Sequence, residues 1–220
     1  MSLSQRYADL THRLHQLGAG QVHLLAVSKK KSAADIAELA DLGQRAFGEN
    51  YLQEAVPKIQ ALADRNLQWH FIGRLQSNKC SDVAEHFDWC QSVDRLRLIS
   101  ALSRGRGPDQ PDLQVLLQVN VDGEAGKGGA SPADLSALAE AVAQAPGLNL
   151  RGLMAIPEPT PDLELRAAAF AALAELYARL GEEHPQMDTL SMGMSDDYAS
   201  AIEQGSTMIR VGTALFGARS

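Results

Sequence analysis

The 220-residue sequence contains only two cysteines, Cys80 and Cys90, and six histidines. Two cysteines exclude a disulfide framework, and neither belongs to the repeated CxxC pattern that holds structural zinc. The histidines show neither HxxxH nor HExxH spacing, which argues against a zinc site of the metalloprotease type. We therefore expect two small buried thiols in a reducing compartment and no bound metal.

Basic charge and long apolar runs are missing as well. The net charge of −7 lacks the basic surplus of a general binder of nucleic acid or anionic membranes. No apolar run is long enough to cross a bilayer, and the N-terminus has no apolar signal region. With 45% hydrophobic and 21% charged residues, the composition is that of an ordinary globular protein. We expect a cytoplasmic location.

The sequence does contain a regular alternation of apolar strand patterns and amphipathic helix patterns. A helical pattern at 3–17 precedes eight segments of strand character, at 24–29, 46–49, 69–73, 87–91, 113–121, 148–156, 189–192 and 208–216. Alternation with helices predicts parallel strands joined by right-handed crossovers. Eight such units favour a closed (β/α)8 TIM barrel, forming one domain over residues 1–220 with an extra N-terminal helix. A doubly wound open sheet is the alternative.

Several helix boundaries are predicted from local signals. Ser32 and Asp35 have the spacing of a capping box, and Asn50 is expected to cap the next helix. Pro57 lies inside that helix and is expected to kink or shorten it. Gly181 is expected to end the long helix that begins near residue 162.

Lys29 stands at the end of the first apolar strand. A lysine at the carboxyl end of a buried parallel strand can be partly desolvated, which lowers the pKa of its amine and frees the nitrogen lone pair. Schiff-base chemistry needs such an amine. The alternative is that Lys29, Lys30 and Lys31 form a solvated basic cluster at the start of a loop.

The loops after the last two strands have the composition of a phosphate site, which recurs at this place in barrels of this kind. They contain Gly193 and Gly212, whose backbones allow close approach, and the hydroxyls of Ser191 and Thr213. Ordinary turn geometry would explain either glycine alone. Together, at two neighbouring strand ends, the glycines favour a phosphate.

A reactive lysine facing a phosphate cradle suggests a cofactor with both an aldehyde and a phosphate, and pyridoxal 5'-phosphate (PLP) has both. Arg210 lies two residues before Gly212, on the same side of its strand. An arginine donating to the pyridine nitrogen would keep that nitrogen unprotonated and make the ring a weaker electron sink. The alternative for Arg210 is a salt bridge at the barrel end.

Seven segments in this order resemble the pyridoxal phosphate homeostasis proteins, the YggS or PROSC family. They are AVSK (26–29), GENY (48–51), WHFIG (69–73), LQSNK (75–79), GLMAIP (152–157), LSMGMSD (190–196) and GSTMIRVGT (205–213). The resemblance implies the alanine racemase N-terminal barrel, PLP fold type III. It also implies that Lys29 holds the cofactor as an internal aldimine. Asn50, at the end of the second strand, is counted with the cofactor-binding residues.

The same resemblance gives the remaining cofactor contacts. The phosphate ligands map to the turn at 191–193 and to Gly212 and Thr213, and the partner of the pyridine nitrogen maps to Arg210.

The glycine-rich loop 122–129 lacks the Ser or Thr of a P-loop and is expected to lie above the barrel mouth, with Lys127 solvated.

Two functions are compatible with such a site. The first is a monomeric carrier that holds PLP and passes it on, with transient contacts to apo-PLP enzymes. The second is an amino-acid racemase or decarboxylase, which would need a second acid or base, such as Tyr51 or Tyr198. We favour the carrier because alanine racemases take that group from a second domain, for which this sequence has no counterpart. A cofactor-independent barrel enzyme acting on a sugar phosphate is a third possibility.

Overall fold

Eight parallel strands form a closed barrel in which each strand pairs with its neighbours in the chain and the last strand pairs with the first. The computed structural model describes residues 1–124 and 126–217. Its strands are β1 (His23–Val27), β2 (Ala46–Glu49), β3 (Gln68–Phe71), β4 (Trp89–Val93), β5 (Leu113–Val119), β6 (Leu148–Ala155), β7 (Thr189–Ser191) and β8 (Met208–Val211). The expected closed barrel is confirmed, and the open sheet is wrong.

Helices follow the strands around the outside of the barrel. They are α1 (Leu3–Gln16), α2 (Ala33–Asp41), α3 (Leu52–Ala61), α4 (Cys80–His86), α5 (Leu96–Gly105), α6 (Leu135–Ala143), α7 (Leu163–Glu183), α8 (Tyr198–Glu203) and α9 (Thr213–Phe216). The N-terminal helix α1 packs mainly against α9 and α2, beside the closure of the barrel. None of the helices in the described ranges combines the length and apolar character needed to cross a membrane. The expected single domain over 1–220 stays a prediction.

Apolar side chains occupy two separate regions. A large cluster fills the layer between the barrel and the helices. A small one, made of Trp89, Leu116 and Met154, lies apart from it on β4, β5 and β6. Several of the remaining buried side chains of the strands are polar, among them His70, Gln91 and Arg210. The chain therefore keeps polar groups where a barrel of this fold is usually filled by branched apolar side chains.

Helix α4 and the end of β8 are two of the differences from the expected pattern. Helix α4 connects β3 to β4, where no helix is predicted from the sequence. It is short and begins directly after a 3₁₀ turn, so it lacks a side-chain N-cap. The last strand ends at Val211 rather than at Phe216, because the backbone turns at Gly212 into the short helix α9.

Helix boundaries confirm the capping signal of α2 and contradict that of α3. The Ser32 and Asp35 side chains form the expected capping box of α2. Asn50 does not cap α3, because Tyr51 takes the N-cap position without a side-chain bond. Helix α3 continues past Pro57 to Ala61, although a proline there removes one backbone donor.

The long helix α7 also passes through its expected stop. Gly181 keeps helical geometry, and the helix ends two residues later, where the backbone N–H of His184 donates to the carbonyl of Leu180. The buried side chain of Leu180 packs in the large apolar cluster and extends the contact of the helix with the core. We attribute the continuation to this packing, which offsets the intrinsic cost of a helical glycine, about 1 kcal/mol.

Substitution Ser32→Ala is expected to remove the capping box of α2 and lower the free energy of unfolding by about 1 kcal/mol. In a chain of this size, that loss shifts the melting temperature by about 2–4 °C, measurable by calorimetry. Ser136→Ala, at an exposed position inside α6, is the matched control and should change the stability little. Equal effects of the two substitutions would contradict the role of the cap.

Candidate functional site

The carboxyl ends of β1 and β8 lie side by side and form a cavity of about 220 Å³. It is lined by Lys29 and the two lysines after it, together with Val27, Gly212, Thr213 and Gly217. Lys29 is half-buried, whereas Lys30 is exposed. Lys29, Gly212 and Thr213, predicted from distant parts of the sequence, are thus brought together at one cavity.

The turn after β7 can only be built with glycine at position 193. Gly193 has a φ of +92°, and a Cβ atom there would lie 2.6 Å from the Cβ of Ala201. Its carbonyl accepts a hydrogen bond from the backbone N–H of Arg210 at 3.0 Å, which fastens this turn to β8. Gly193 is therefore placed next to the end of β8, where the sequence predicts a phosphate site.

The two turns are joined by a second serine of the same loop. The backbone N–H of Ala214 donates to Oγ of Ser195 at 3.3 Å. The hydroxyl of Ser191, by contrast, donates to Oε1 of Gln91 at 2.8 Å inside the protein and is fully buried. The Ser195 hydroxyl therefore lies at the turn that contains Gly212 and Thr213. That the Ser191 hydroxyl binds phosphate stays a prediction.

Arg210 is buried in the barrel and bound by three acceptors. Its Nη1 donates to the carbonyl and to Oγ of Ser191, each at 2.7 Å, and its Nη2 donates to the carbonyl of Ala155 at 2.7 Å. Burial lowers the pKa of Arg210 to about 10, so the group remains a cation at neutral pH. The expected salt-bridge alternative is not observed: Arg210 forms none of the ion pairs found among residues 1–124 and 126–217.

Ser28, the residue before Lys29, is fixed by a buried ion pair. Its hydroxyl donates to Oε1 of Glu49 at 2.6 Å, and its carbonyl accepts from Nζ of Lys58 at 3.0 Å. Lys58 Nζ also donates to the same Glu49 oxygen at 2.8 Å. Burial raises the pKa of Glu49, and the bonds from Lys58 and Ser28 act in the opposite direction. The peptide that presents Lys29 is therefore held in one position.

Asn50 follows this carboxylate at the end of β2. Its backbone packs closely against Gly73, where a Cβ atom would lie 2.1 Å from the carbonyl oxygen of Asn50. Its side-chain Oδ1 is buried without a hydrogen-bond partner. Leaving a buried acceptor unpaired costs free energy. We therefore expect a bound molecule to supply the donor for Asn50.

Lys127, expected to be solvated, instead forms ion pairs at the barrel mouth. Its Nζ lies 2.8 Å from Glu124 and 3.7 Å from Asp122, and it also contacts Glu158 on the loop after β6. These hydrogen bonds raise the pKa of Lys127. The loop 122–129 is thus fastened to its neighbour, with Ala125 outside the described residues.

Local sequence patterns do not reveal the contacts of the polar groups that support the site. Ser191 and Ser195 follow the same strand pattern, and only the turn geometry shows that the Ser195 hydroxyl bonds to the turn at Gly212 and Thr213. Gln91, Glu49 and Lys58 were not predicted as functional residues, since their partners are known only from the closed barrel. Their sole sequence signal is a polar or charged residue inside an apolar segment.

The chain resembles proteins of known family over nearly its whole length. It matches the alanine racemase N-terminal domain over residues 4–220. It is 59% identical over 198 residues to the pyridoxal phosphate homeostasis protein of Pseudomonas aeruginosa, covering 90% of this chain and 85% of the relative. The protein of that name from Vibrio cholerae is 54% identical over 202 residues, covering 90% and 86%.

A solved structure extends the similarity to the backbone. The structure of PipY from Synechococcus elongatus PCC7942 with PLP bound matches with a TM-score of 0.88 at 40% identity, covering 98% of this chain and 100% of PipY. The barrel and its mouth thus define an alanine racemase N-terminal barrel. Within that class, the chain belongs to the family of the pyridoxal phosphate homeostasis proteins, which confirms the resemblance found in the sequence.

Substitution Lys58→Met is expected to leave the Glu49 carboxylate buried without its cation and to cost about 3–5 kcal/mol of unfolding free energy. Losing Lys58 also raises the pKa of Glu49 further, so the folded state holds the proton more tightly than the unfolded state. The folded state is then destabilised as the pH rises through the folded-state pKa. Urea unfolding at pH 5 and pH 8 should show the larger loss at pH 8.

The matched control is the double variant Lys58→Met/Glu49→Gln, which has no charge to bury. It should recover part of the stability and lose the extra dependence on pH, because a neutral amide does not titrate. A single variant whose loss is the same at both pH values would contradict the ion-pair interpretation.

Proposed function

We propose that this protein binds PLP at the cavity between β1 and β8 and holds and releases it as part of intracellular PLP homeostasis. The observation that carries the proposal is the meeting of Lys29 with Gly212 and Thr213 at one cavity, beside a buried arginine. The names of its relatives and the PLP-bound structure of PipY support the same cofactor.

The residues at the mouth fit the chemical groups of this cofactor. Lys29 offers an amine, and its position after the fixed Ser28 peptide restricts where that amine can reach. The turns at Gly193 and at Gly212 and Thr213 would bind the phosphate through backbone N–H groups, with the Ser195 hydroxyl between them. Asn50, whose Oδ1 lacks a donor, would accept from a ring hydroxyl.

Arg210 would face the pyridine nitrogen as a hydrogen-bond donor. Its Nε–H takes part in none of the three bonds to Ser191 and Ala155. An arginine cannot give its proton away, so it would keep that nitrogen unprotonated. When bound, PLP supplies an aldehyde that condenses reversibly with a primary amine, and its electron-withdrawing power falls if the ring nitrogen stays unprotonated.

This arrangement favours a carrier over a turnover enzyme. Tyr51 is 50% exposed at the start of α3, and Tyr198 lies on α8, where its Cα packs against Gly193. Either tyrosine would have to act as the second acid or base of a racemase. We infer that the protein acts as a monomer in the cytoplasm and delivers PLP to apo-enzymes through transient contacts. Its two buried free cysteines are consistent with a reducing compartment.

Substitution Lys29→Ala is expected to abolish covalent attachment of PLP. The wild-type protein, incubated with PLP and dialysed, should show a visible absorbance band that borohydride removes, and the variant should show none. Mass spectrometry after borohydride should place the added mass on Lys29. The reason is that only this lysine follows the fixed Ser28 peptide directly.

Lys30→Asn is the matched control, because it removes the neighbouring amine, and asparagine tolerates the φ of 62° found at Lys30. It should keep the absorbance band. A band that survives in Lys29→Ala would refute the assignment of Lys29. Inversion of a single-enantiomer amino acid by the wild-type protein, lost in Lys29→Ala, would instead establish the racemase alternative.

A further inference from the structure

A chain of side-chain hydrogen bonds, buried except at the exposed Gln68, leads from Arg210 through the barrel to its opposite end. Arg210 Nη1 donates to Ser191 Oγ at 2.7 Å, and Ser191 Oγ donates to Gln91 Oε1 at 2.8 Å. Gln91 Nε2 lies 2.9 Å from Nδ1 of His70, whose Nε2 lies 3.0 Å from Oε1 of Gln68. Ser191 on β7 and Gln91 on β4 belong to strands that are not neighbours, so this bond crosses the barrel interior.

Every bond in this chain has a fixed direction. Because a guanidinium can only donate, the Ser191 oxygen accepts from Arg210, and in this structure the Ser191 hydroxyl donates to the amide oxygen of Gln91. The Gln91 amide oxygen therefore faces Ser191, and its NH₂ group faces Nδ1 of His70. His70 is then protonated on Nε2 and donates to Gln68, so all four bonds have the same sense.

The far part of the chain is rigid and uncharged. His70 is fully buried and stacks on Trp89 with ring centroids 5.0 Å apart. Burial, together with the charge of His23, lowers the pKa of His70 to about 3, so the imidazole is neutral at physiological pH. Gln91 Nε2 also contacts the sulfur of Met208 at 3.2 Å, which further limits its rotation.

We propose that Gln91 and Ser191 are positioning residues that fix the orientation of the Arg210 guanidinium toward the ring nitrogen of PLP. This inference rests on the proposed function. It assigns Ser191 to the ring end of the cofactor, whereas its hydroxyl was predicted from the sequence to bind phosphate. Without the Gln91 oxygen, the Ser191 hydroxyl can turn its proton elsewhere, and the guanidinium loses one of the acceptors that set its plane.

The test uses Gln91→Met and Ser191→Ala, which break the chain at adjacent links, and the double variant. Each single variant should bind PLP about tenfold more weakly, the value of one hydrogen bond to a charged group. Because the two residues act on Arg210 in series, the double variant should lose about the same factor as either single variant and not about a hundredfold.

Binding of pyridoxal, which has no phosphate, separates the two roles of Ser191. If Ser191 positions Arg210, the Ser191→Ala substitution should weaken the binding of pyridoxal and of PLP by the same factor. If Ser191 binds the phosphate, the substitution should weaken PLP binding and leave pyridoxal binding unchanged. The visible absorbance maximum of bound PLP should also shift in both single variants, because the donor at the ring nitrogen has moved.

Leu102→Ala is the matched control, since it leaves a cavity in the large apolar cluster, which contains no residue of the hydrogen-bond chain. It should lower the melting temperature but leave the absorbance maximum and the ratio of pyridoxal to PLP affinity unchanged. A shift of the absorbance maximum in Leu102→Ala equal to that in Gln91→Met, wild-type affinity in Gln91→Met, or loss confined to PLP would overturn the inference. A wild-type protein that binds no PLP would instead refute the proposed function.

Discussion

Closure of the barrel by the pairing of β1 with β8 is the constraint on which the site depends. In this register Leu25 pairs with Arg210 and Ala26 pairs with Val211. The next residues along both strands, Val27 and Gly212, then lie in contact. Groups from opposite ends of the chain thereby meet at one cavity, and an open sheet would leave them on separate edges. The long-range contacts of the closed ring hold the amine and the glycine turn in place.

Two buried charged groups lie inside this protein, the Glu49–Lys58 ion pair and the Arg210 guanidinium. Moving a charge out of water is costly unless hydrogen bonds or a counter-charge replace the lost hydration. Glu49 has the ammonium of Lys58, and Arg210 has only neutral acceptors, the oxygens of Ser191 and Ala155. Among the described residues no carboxylate forms an ion pair with this guanidinium, and the charge of Asp197 helps to keep it a cation. The ion pair holds the peptide that precedes Lys29, and Arg210 bonds to Ser191 at the end of β7.

The sequence was most informative where a signal is local. Strand and helix periodicity predicted the barrel, and Lys29 and Gly212 were recognised at strand ends because those ends follow from the periodicity. The different positions of Ser191 and Ser195 cannot be read from the sequence, since they depend on the inward direction of Ser191 at the end of β7 and on the course of the loop that contains Ser195. That direction is set by the register of β7 against β8, where Ser191 pairs with Met208. The partners of Gln91 lie on strands far apart in the chain, and no local pattern reveals them.

The polarity of the hydrogen-bond chain links this architecture to the proposed chemistry. An arginine at the ring nitrogen makes PLP a weak electron sink, which disfavours the carbanions that racemases and decarboxylases stabilise. Condensation of the aldehyde with an amine needs no such sink, so attachment and release can still proceed. Because Gln91 and His70 are neutral and point in one direction, they offer the arginine no acid that could relay a proton to the ring. The interior of the barrel therefore fits the proposal that the cofactor is held with its ring nitrogen unprotonated.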